Sequence, residues 1–300
     1  MLAPILVLVI FILTLLADLL PAETLGMTEN PYLAAVILQL LIYAVPTLFW
    51  CRIRGREFTP KLRLRPFSPS MLLFLWHAFV FMTALSTMLS ILLARAFPEA
   101  YGASTVSGAA SFAMNERFFD GVYLVVAFAI LPAVTEEMLF RGVLVGEYES
   151  MGAAAAVTVS AVLFAMSHFS AVRFPVYLCA GLVLGAVLYA TRSVIAPMLV
   201  HAAYNAVLLL SEKAVLWMVD KQNTSILLLT LALTAAILVS GMLFALEAQH
   251  IYRGYAEGNV PSAYAEGKRP GVFARIAEIY FTPTFLLVTL VFLMVTATRA

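Results

Sequence analysis

The sequence predicts an all-α fold, a polytopic membrane helical bundle of about eight to nine transmembrane helices. Of its 300 residues, 63% are hydrophobic and only 12% are charged, whereas a soluble globular domain carries about 25% charged residues. The mean hydropathy is +0.98. Apolar stretches of about 20 residues, long enough to cross a bilayer as a helix, recur from one end of the chain to the other. The composition therefore predicts an integral membrane protein in contact with membrane lipid.

Nine apolar segments are candidate helices. They cover residues 2–20, 32–50, 70–95, 120–147, 152–168, 174–191, 194–211, 225–248 and 282–298. No positively charged stretch precedes the first segment, unlike in a cleavable signal peptide, so we expect it to be retained. The stretches 100–119 and 254–275 are richer in Gly, Ser, Glu and Arg and are predicted to be loops. We expect residues 1–300 to form a single integral-membrane domain.

The net charge and the cysteines argue against a nucleic-acid-binding protein, a disulfide framework and a cysteine zinc site. The net charge is only +1, and no stripe of basic and aromatic residues is present, so we expect no nucleic acid partner. Cys51 and Cys179 are far apart and lack ligand-like spacing, which favours neither a disulfide framework nor a zinc site. Each is expected to pack as a small apolar side chain.

Lys and Arg predict the orientation of the chain. The segment "CRIRGREFTPKLRLRP", which begins at residue 51, contains six basic residues, and the preceding loop "AETLGMTEN" contains none. The positive-inside rule therefore places the basic loop and the N-terminus in the cytoplasm. With nine alternating helices, 11 of the 18 Lys and Arg fall on that side, six fall on the other, and Arg141 lies within a span. We expect a location in a bacterial cytoplasmic membrane.

Three ionisable residues in the fourth helix are the main anomaly. They lie in "TEEMLFRG", residues 135–142, within a segment where a charge costs at least about 2.5 kcal/mol. Glu137 and Arg141 are four residues apart and can pair on one helical face. Glu136 points about 100° away from Glu137, toward another part of the interior. The alternative interpretation is an ion-pair network of all three at a helix end.

Further polar residues occupy the fifth and seventh helices. "LFAMSHFS" places Phe164 one turn before His168, and "MLVHAAYNAV" places His201 one turn before Asn205. A lone histidine in such a helix is often a packing residue, but a His-x-x-x-Asn pair presents two polar groups in one direction. By the rise of an α-helix, these groups and Glu136 lie at comparable depths. Two isolated residues, Asp18 and His77, are interpreted as interfacial or packing residues.

Together, Glu-Glu-x-x-x-Arg, Phe-x-x-x-His and His-x-x-x-Asn resemble the motifs of the CPBP family. This family comprises the CAAX prenyl endopeptidases and the related bacteriocin-processing and immunity proteins, also called Abi proteins. The stretch "LVLGAVLYATRSVIAPMLVHAAYN" is also similar to the passage into the last motif of the family. The resemblance covers residues 115–212, which we expect to be the catalytic core.

The resemblance implies an intramembrane endopeptidase that acts on a membrane-associated or lipidated peptide or protein. It assigns activation of a water molecule to Glu136 with His168, and donation to the oxyanion to His201 and Asn205. Glu137 and Arg141 would hold the helix that carries Glu136. Phe164 would pack beside His168.

Two alternatives follow. The first is a zinc enzyme whose ligands are Glu136, His168 and His201, with an open fourth position; we favour a metal-free reaction because Asn205 suits an oxyanion role. The second is a non-catalytic membrane factor, either an immunity or scaffold protein or a proton-coupled transporter. A transporter is disfavoured because the two halves show no repeat and no pair of Gly- or Pro-interrupted helices.

Overall fold

The computed structural model of the protein describes residues 3–21, 24, 31–104, 118–220, 224–258 and 271–299, and in these ranges it contains helices and no strand. The predicted all-α fold is confirmed. The α-helices are α1 (Ala3–Asp18), α2 (Pro31–Gln39), α3 (Val45–Arg54), α4 (Leu72–Ala96), α5 (Pro98–Ser104), α6 (Phe118–Val125), α7 (Leu131–Glu137), α8 (Val145–Tyr148), α9 (Ala153–Met166), α10 (Phe174–Thr191), α11 (Ile195–Asp220), α12 (Thr224–Glu257), α13 (Val272–Tyr280) and α14 (Pro283–Arg299). Three π-helical segments join α2 to α3 (Leu40–Ala44), α6 to α7 (Val126–Ile130) and α7 to α8 (Met138–Leu144).

The apolar helices of the bundle include some that are long enough to cross a membrane and some that are shorter. Among the described residues, five continuous helices are long and apolar enough to cross a membrane: Leu33–Arg54, Pro69–Ala96, Gly121–Met151, Phe174–Thr191 and Leu227–Glu257. The pair Ala274–Tyr280 and Pro283–Thr298, bent by 57°, could form a sixth span. Two further predicted spans are shorter apolar helices, Ala3–Asp18 and Ala153–Met166, and the last, α11, runs from Ile195 to Asp220. All nine predicted segments are thus helical, but two are shorter than a full span.

Parts of the two predicted loops are helical instead. α5 begins at Pro98, α12 continues to Glu257, and α13 begins at Val272. The loop prediction was wrong there because charged residues lower the hydropathy without interrupting a helix. In α13, Ile279 is buried while Arg275 and Glu278 lie in the same short helix, which is an amphipathic pattern. The rest of both stretches, 105–117 and 259–270, lies outside the described residues.

Proline explains two of the three π segments. Pro46 and Pro132 each occupy the first turn of the α-helix that follows a π segment. A proline ring clashes with the carbonyl four residues earlier and cannot donate to it, so the preceding turn widens. The third π segment contains no proline, and there the buried Ser160 Oγ of α9 donates to the Phe140 carbonyl at 2.7 Å. This segment directly follows Glu136 and Glu137, and π segments often occur at functional sites.

Two glycines allow α9 and α10 to approach closely. A Cβ at Gly181 would lie 2.9 Å from the Ala161 backbone, and one at Gly185 would lie 2.6 Å from Val157 Cγ1. The spacing Gly-x-x-x-Gly presents a small-residue face at which two membrane helices can pack backbone to backbone. α4 and α11 pack against α10, and α12 packs along α4. α12 exposes large apolar side chains such as Leu228 and Leu238, which is typical of a helix that faces lipid.

The turns predicted to share one side of the membrane lie together at one end of the bundle. The basic loop reaches the turn after α8 through ion pairs of Arg54 with Glu147 and Arg63 with Glu149. It reaches the turn after α10 through Arg65 Nε, which donates to the Arg192 carbonyl at 2.8 Å. Gly152, with φ of 99°, ends the first of these turns in a backbone conformation that favours glycine. The alternation of spans is therefore consistent with the packing of these turns.

We predict that this end of the bundle faces the cytoplasm. In a variant with Cys51→Ser and Cys179→Ser, Glu57→Cys should react with an impermeant maleimide only after permeabilisation of the cells. Glu99→Cys, at the opposite end of α4, should react in intact cells. Glu57 and Glu99 are both exposed, so their accessibility to the reagent is matched. Labelling of Glu57→Cys but not Glu99→Cys in intact cells would reverse the orientation.

Candidate active site

A buried ion pair lies at the centre of the bundle. Arg141 Nη1 donates to Glu137 Oε1 at 2.7 Å, and both side chains are fully buried. Arg141 Nη2 donates to the Gly181 carbonyl of α10 at 3.0 Å, and its guanidinium lies 4.7 Å above the Phe164 ring of α9. The predicted pair of Glu137 and Arg141 is thus present, and through Arg141 it joins three segments of the bundle.

His201 lies between the two glutamates. Its Nδ1 is 2.9 Å from Glu137 Oε1, and its Nε2 is 4.0 Å from Glu136 Oε2. An ionised carboxylate only accepts hydrogen bonds, so Nδ1 carries a hydrogen and donates it to Glu137. Nε2 is then the nitrogen directed toward Glu136. Glu137 therefore orients the imidazole of His201 as well as pairing with Arg141, a contact that the sequence analysis did not predict.

Phe164 contacts both histidine rings. Its ring is 4.9 Å from His168 and 5.6 Å from His201 between centroids, edge to face in both cases. His168 Nδ1 lies 2.8 Å from the Phe164 carbonyl. A carbonyl only accepts, so Nδ1 is the protonated nitrogen and Nε2 is left with a free lone pair. The structure thus brings the Phe-x-x-x-His and His-x-x-x-Asn motifs together.

The remaining predicted residues differ in their surroundings. Asn205 is half-buried, one turn after His201 on α11, and makes no hydrogen bond to the described part of the chain. Glu136 is buried, with 8% of its surface exposed. Asp18 is exposed at the end of α1 and His77 is half-buried in α4, positions compatible with their interpretation as interfacial or packing residues.

Three residues near the site were missed by the sequence analysis. Tyr177 of α10 stacks on His168 with ring centroids 3.8 Å apart and planes 18° apart. Gln39 Nε2 donates to Thr135 Oγ1 at 2.8 Å, and Tyr43, one turn later, is buried near Glu136. An amide within an apolar helix was a usable signal for Gln39, whereas an aromatic residue in an apolar run is usually a packing residue.

The alternative zinc ligands do not form a metal-binding group in this arrangement. Among the described residues, no group of three or more His, Cys, Asp or Glu side chains is placed to hold a metal ion. His201 Nε2 and Glu136 Oε2 approach each other to 4.0 Å, but His168 does not complete the set.

The fold and the site define a polytopic helical membrane protein with a buried centre of carboxylate, guanidinium and imidazole groups. Residues 118–207 match the family model described as "Rce1-like: Type II CAAX prenyl endopeptidase Rce1-like". The match confirms the resemblance predicted from the three motifs and contains all of their residues, although it covers less than half of the chain. At this level the chain is similar to CAAX-protease-like intramembrane endopeptidases. No curated protein and no solved structure matches the chain significantly.

We predict that Arg141 is needed mainly for stability. Arg141→Met should lower the free energy of unfolding by about 3–5 kcal/mol, because it leaves Glu137 charged and buried without its partner. The double variant Arg141→Met/Glu137→Gln should lose less, because the stranded charge is then removed as well. Chemical unfolding of the purified protein in detergent measures both values.

Arg52→Ala, at an exposed position, is the control and should change stability by less than about 0.5 kcal/mol. Equal stability of Arg141→Met and the unaltered protein would contradict a structural role for the ion pair.

Proposed function

We propose that the protein is an intramembrane endopeptidase that hydrolyses peptide bonds with a water molecule activated by Glu136. The observation that carries this proposal is the convergence of Glu136, His201 and the ring pair Phe164–His168 within one buried region. Peptide hydrolysis requires a base to take a proton from water and donors to stabilise the oxyanion. The side chains assembled here can supply both functions.

In the proposed mechanism Glu136 and His168 hold the attacking water. The Nδ1 hydrogen of His168 is directed to the Phe164 carbonyl, so Nε2 can accept a hydrogen bond from water. Stacking on Tyr177 and the edge contact with Phe164 restrict rotation of the imidazole. Glu136 then removes the proton as water attacks the carbonyl carbon of the peptide, and it later delivers this proton to the leaving amine.

The oxyanion would be stabilised from α11. Asn205 has an amide without a hydrogen-bond partner in the described chain, so its Nδ2 can donate to a substrate. His201 donates its Nδ1 hydrogen to Glu137, so it can donate a second hydrogen, from Nε2, only as the doubly protonated imidazolium. In the proposed role the Glu137 carboxylate both holds this ring and balances its positive charge.

The substrate is proposed to be a membrane-associated or lipidated peptide. The similarity to type II CAAX prenyl endopeptidases over residues 118–207 supports this class. The buried position of the site supports it too, because a substrate anchored in the bilayer reaches such a site by lateral diffusion. A farnesylated CAAX peptide and the same peptide without the lipid are therefore the appropriate pair of probes.

We predict that Glu136→Gln lowers the rate of peptide cleavage by orders of magnitude without unfolding the protein, because glutamine keeps the shape of the side chain but cannot act as a base. His168→Ala should have a similar effect. Asn205→Ala should retain about a hundredth to a thousandth of the activity, the usual cost of removing one oxyanion donor. Initial rates on both fluorogenic probes, in detergent micelles, measure these effects.

The same assay separates the functional classes. A non-catalytic immunity factor, scaffold or transporter would leave both probes intact at every protein concentration. Cleavage by Glu136→Gln at the rate of the unaltered protein would show that the activity arises from another site or from a contaminant.

We also predict that the reaction needs no bound metal. The donor capacity of Asn205 supports this proposal, as does the arrangement of the described His, Cys, Asp and Glu side chains, no three of which are placed to hold a metal ion. The purified protein should contain much less than one zinc per chain and should keep its activity in the presence of 1,10-phenanthroline, about as active as in buffer alone. Loss of activity on chelation that zinc alone restores would favour the zinc enzyme, with Glu136, His168 and His201 drawn together by the ion.

A further inference from the structure

Two polar side chains outside the matched segment face the site from α2 and the π segment that follows it. Gln39 is the last residue of α2, and Tyr43 lies in the π segment Leu40–Ala44. They are one turn apart and therefore share a helical face. α2 and this π segment both pack against α7, the helix that ends with Glu136 and Glu137.

Gln39 contacts the turn that carries Glu136. Its Nε2 donates to Thr135 Oγ1 at 2.8 Å, and Thr135 Oγ1 donates in turn to the Leu131 carbonyl at 3.0 Å. The Gln39 side chain also lies close to the Glu136 carboxylate. A primary amide has two N–H donors, so Nε2 can serve Thr135 and the carboxylate together. Gln39 thereby limits the orientations that the Glu136 carboxylate can adopt.

Tyr43 connects the Glu136 side of the site with the His168 side. The side chain is buried, with 9% exposed, and its hydroxyl lies near both Ser167 and Glu136. Ser167 Oγ donates to the Phe164 carbonyl at 2.7 Å, so its lone pairs are available to accept from Tyr43. The same carbonyl is the acceptor that orients His168.

We propose that Gln39 and Tyr43 are positioning residues of the active site, which together hold the Glu136 carboxylate and the His168 imidazole at a fixed separation around the attacking water. Gln39 holds the base through Thr135 and Glu136, and Tyr43 holds the opposite side through Ser167. This inference rests on the proposed endopeptidase function. It extends the site beyond residues 118–207 to a helix near the N-terminus of the chain.

The position of a catalytic base is critical, because a misplacement of about 1 Å can cost about 100-fold in rate. Gln39→Leu and Tyr43→Phe keep the approximate volumes of the side chains but remove the amide and the hydroxyl that are proposed to position the site. Each should lower kcat by about 10- to 100-fold, with KM within about twofold, because neither side chain is proposed to touch the substrate. Their thermal unfolding midpoints should stay close to that of the unaltered protein.

Matched controls are available on α12. Tyr255→Phe removes the hydrogen bond from the Tyr255 hydroxyl to the Ala190 carbonyl, and Gln249→Leu changes an exposed residue of α12. Neither should change kcat. A general sensitivity of the bundle to lost polar contacts would instead lower the activity of Tyr255→Phe as well.

Combining Gln39→Leu with Glu136→Gln shows whether Gln39 acts by positioning the base or by stabilising the fold. Gln39→Leu should have much less effect when Glu136 is already Gln, because a residue that acts through the base has little left to position. Equal fold losses in the two backgrounds, or lower thermal stability that accounts for the loss, would overturn the inference. If the unaltered protein cleaves neither probe, the proposed function itself fails, whereas cleavage that is unaffected by Gln39→Leu and Tyr43→Phe contradicts only this inference.

Discussion

The burial of the Arg141 guanidinium is the constraint on which the rest of the site depends. A charged side chain in the interior of a membrane bundle is tolerated when it is paired and hydrogen-bonded. Arg141 obtains its partners from three segments: the Glu137 carboxylate on its own span, the Gly181 carbonyl on α10 and the Phe164 ring on α9. Satisfying this charge therefore fixes how these helices lie relative to one another. Close packing at the Gly181 position makes the carbonyl contact possible, because a Cβ there would meet the Ala161 backbone.

The chemistry of the site follows from that arrangement. Glu137 is held by Arg141 and accepts a hydrogen bond from His201, so one buried carboxylate orients an imidazole while its neighbour, Glu136, remains available as a base. Phe164 is held beneath Arg141 and touches both imidazoles. A structural ion pair and a proposed reaction centre thus occupy adjacent positions on one helix. Glu136 and Glu137 can have different roles because adjacent side chains on a helix point in different directions.

A second set of charged residues, those of the basic loop, connects the turns at one end of the bundle. The basic loop pairs with Glu147 and Glu149 and supplies donors and acceptors to the turn around Arg192. Ion pairs at such positions are exposed to water in part, so each contributes little to stability alone. Their structural consequence is larger, because through them the basic loop links the end of the span that carries Glu136 to the turn before α11. The residues that predict orientation from their charge therefore also join the helices of the site.

The sequence by itself determined the helical segments, the spacing of Glu137 and Arg141, and the identity of the motif residues, because apolar length and one-turn spacing are local properties. The tertiary structure decided which helix faces meet. It placed His201 against Glu137, brought Gln39 and Tyr43 beside Glu136, and made two predicted spans, α1 and α9, shorter than a bilayer. The physical reason lies in the π segments: one inserted residue rotates all later side chains by about 100° about the helix axis. Hydropathy does not record this rotation. Contacts between helices therefore depend on proline, on glycine packing and on buried hydrogen bonds such as that of Ser160 to the Phe140 carbonyl, and these act only once the helices are assembled.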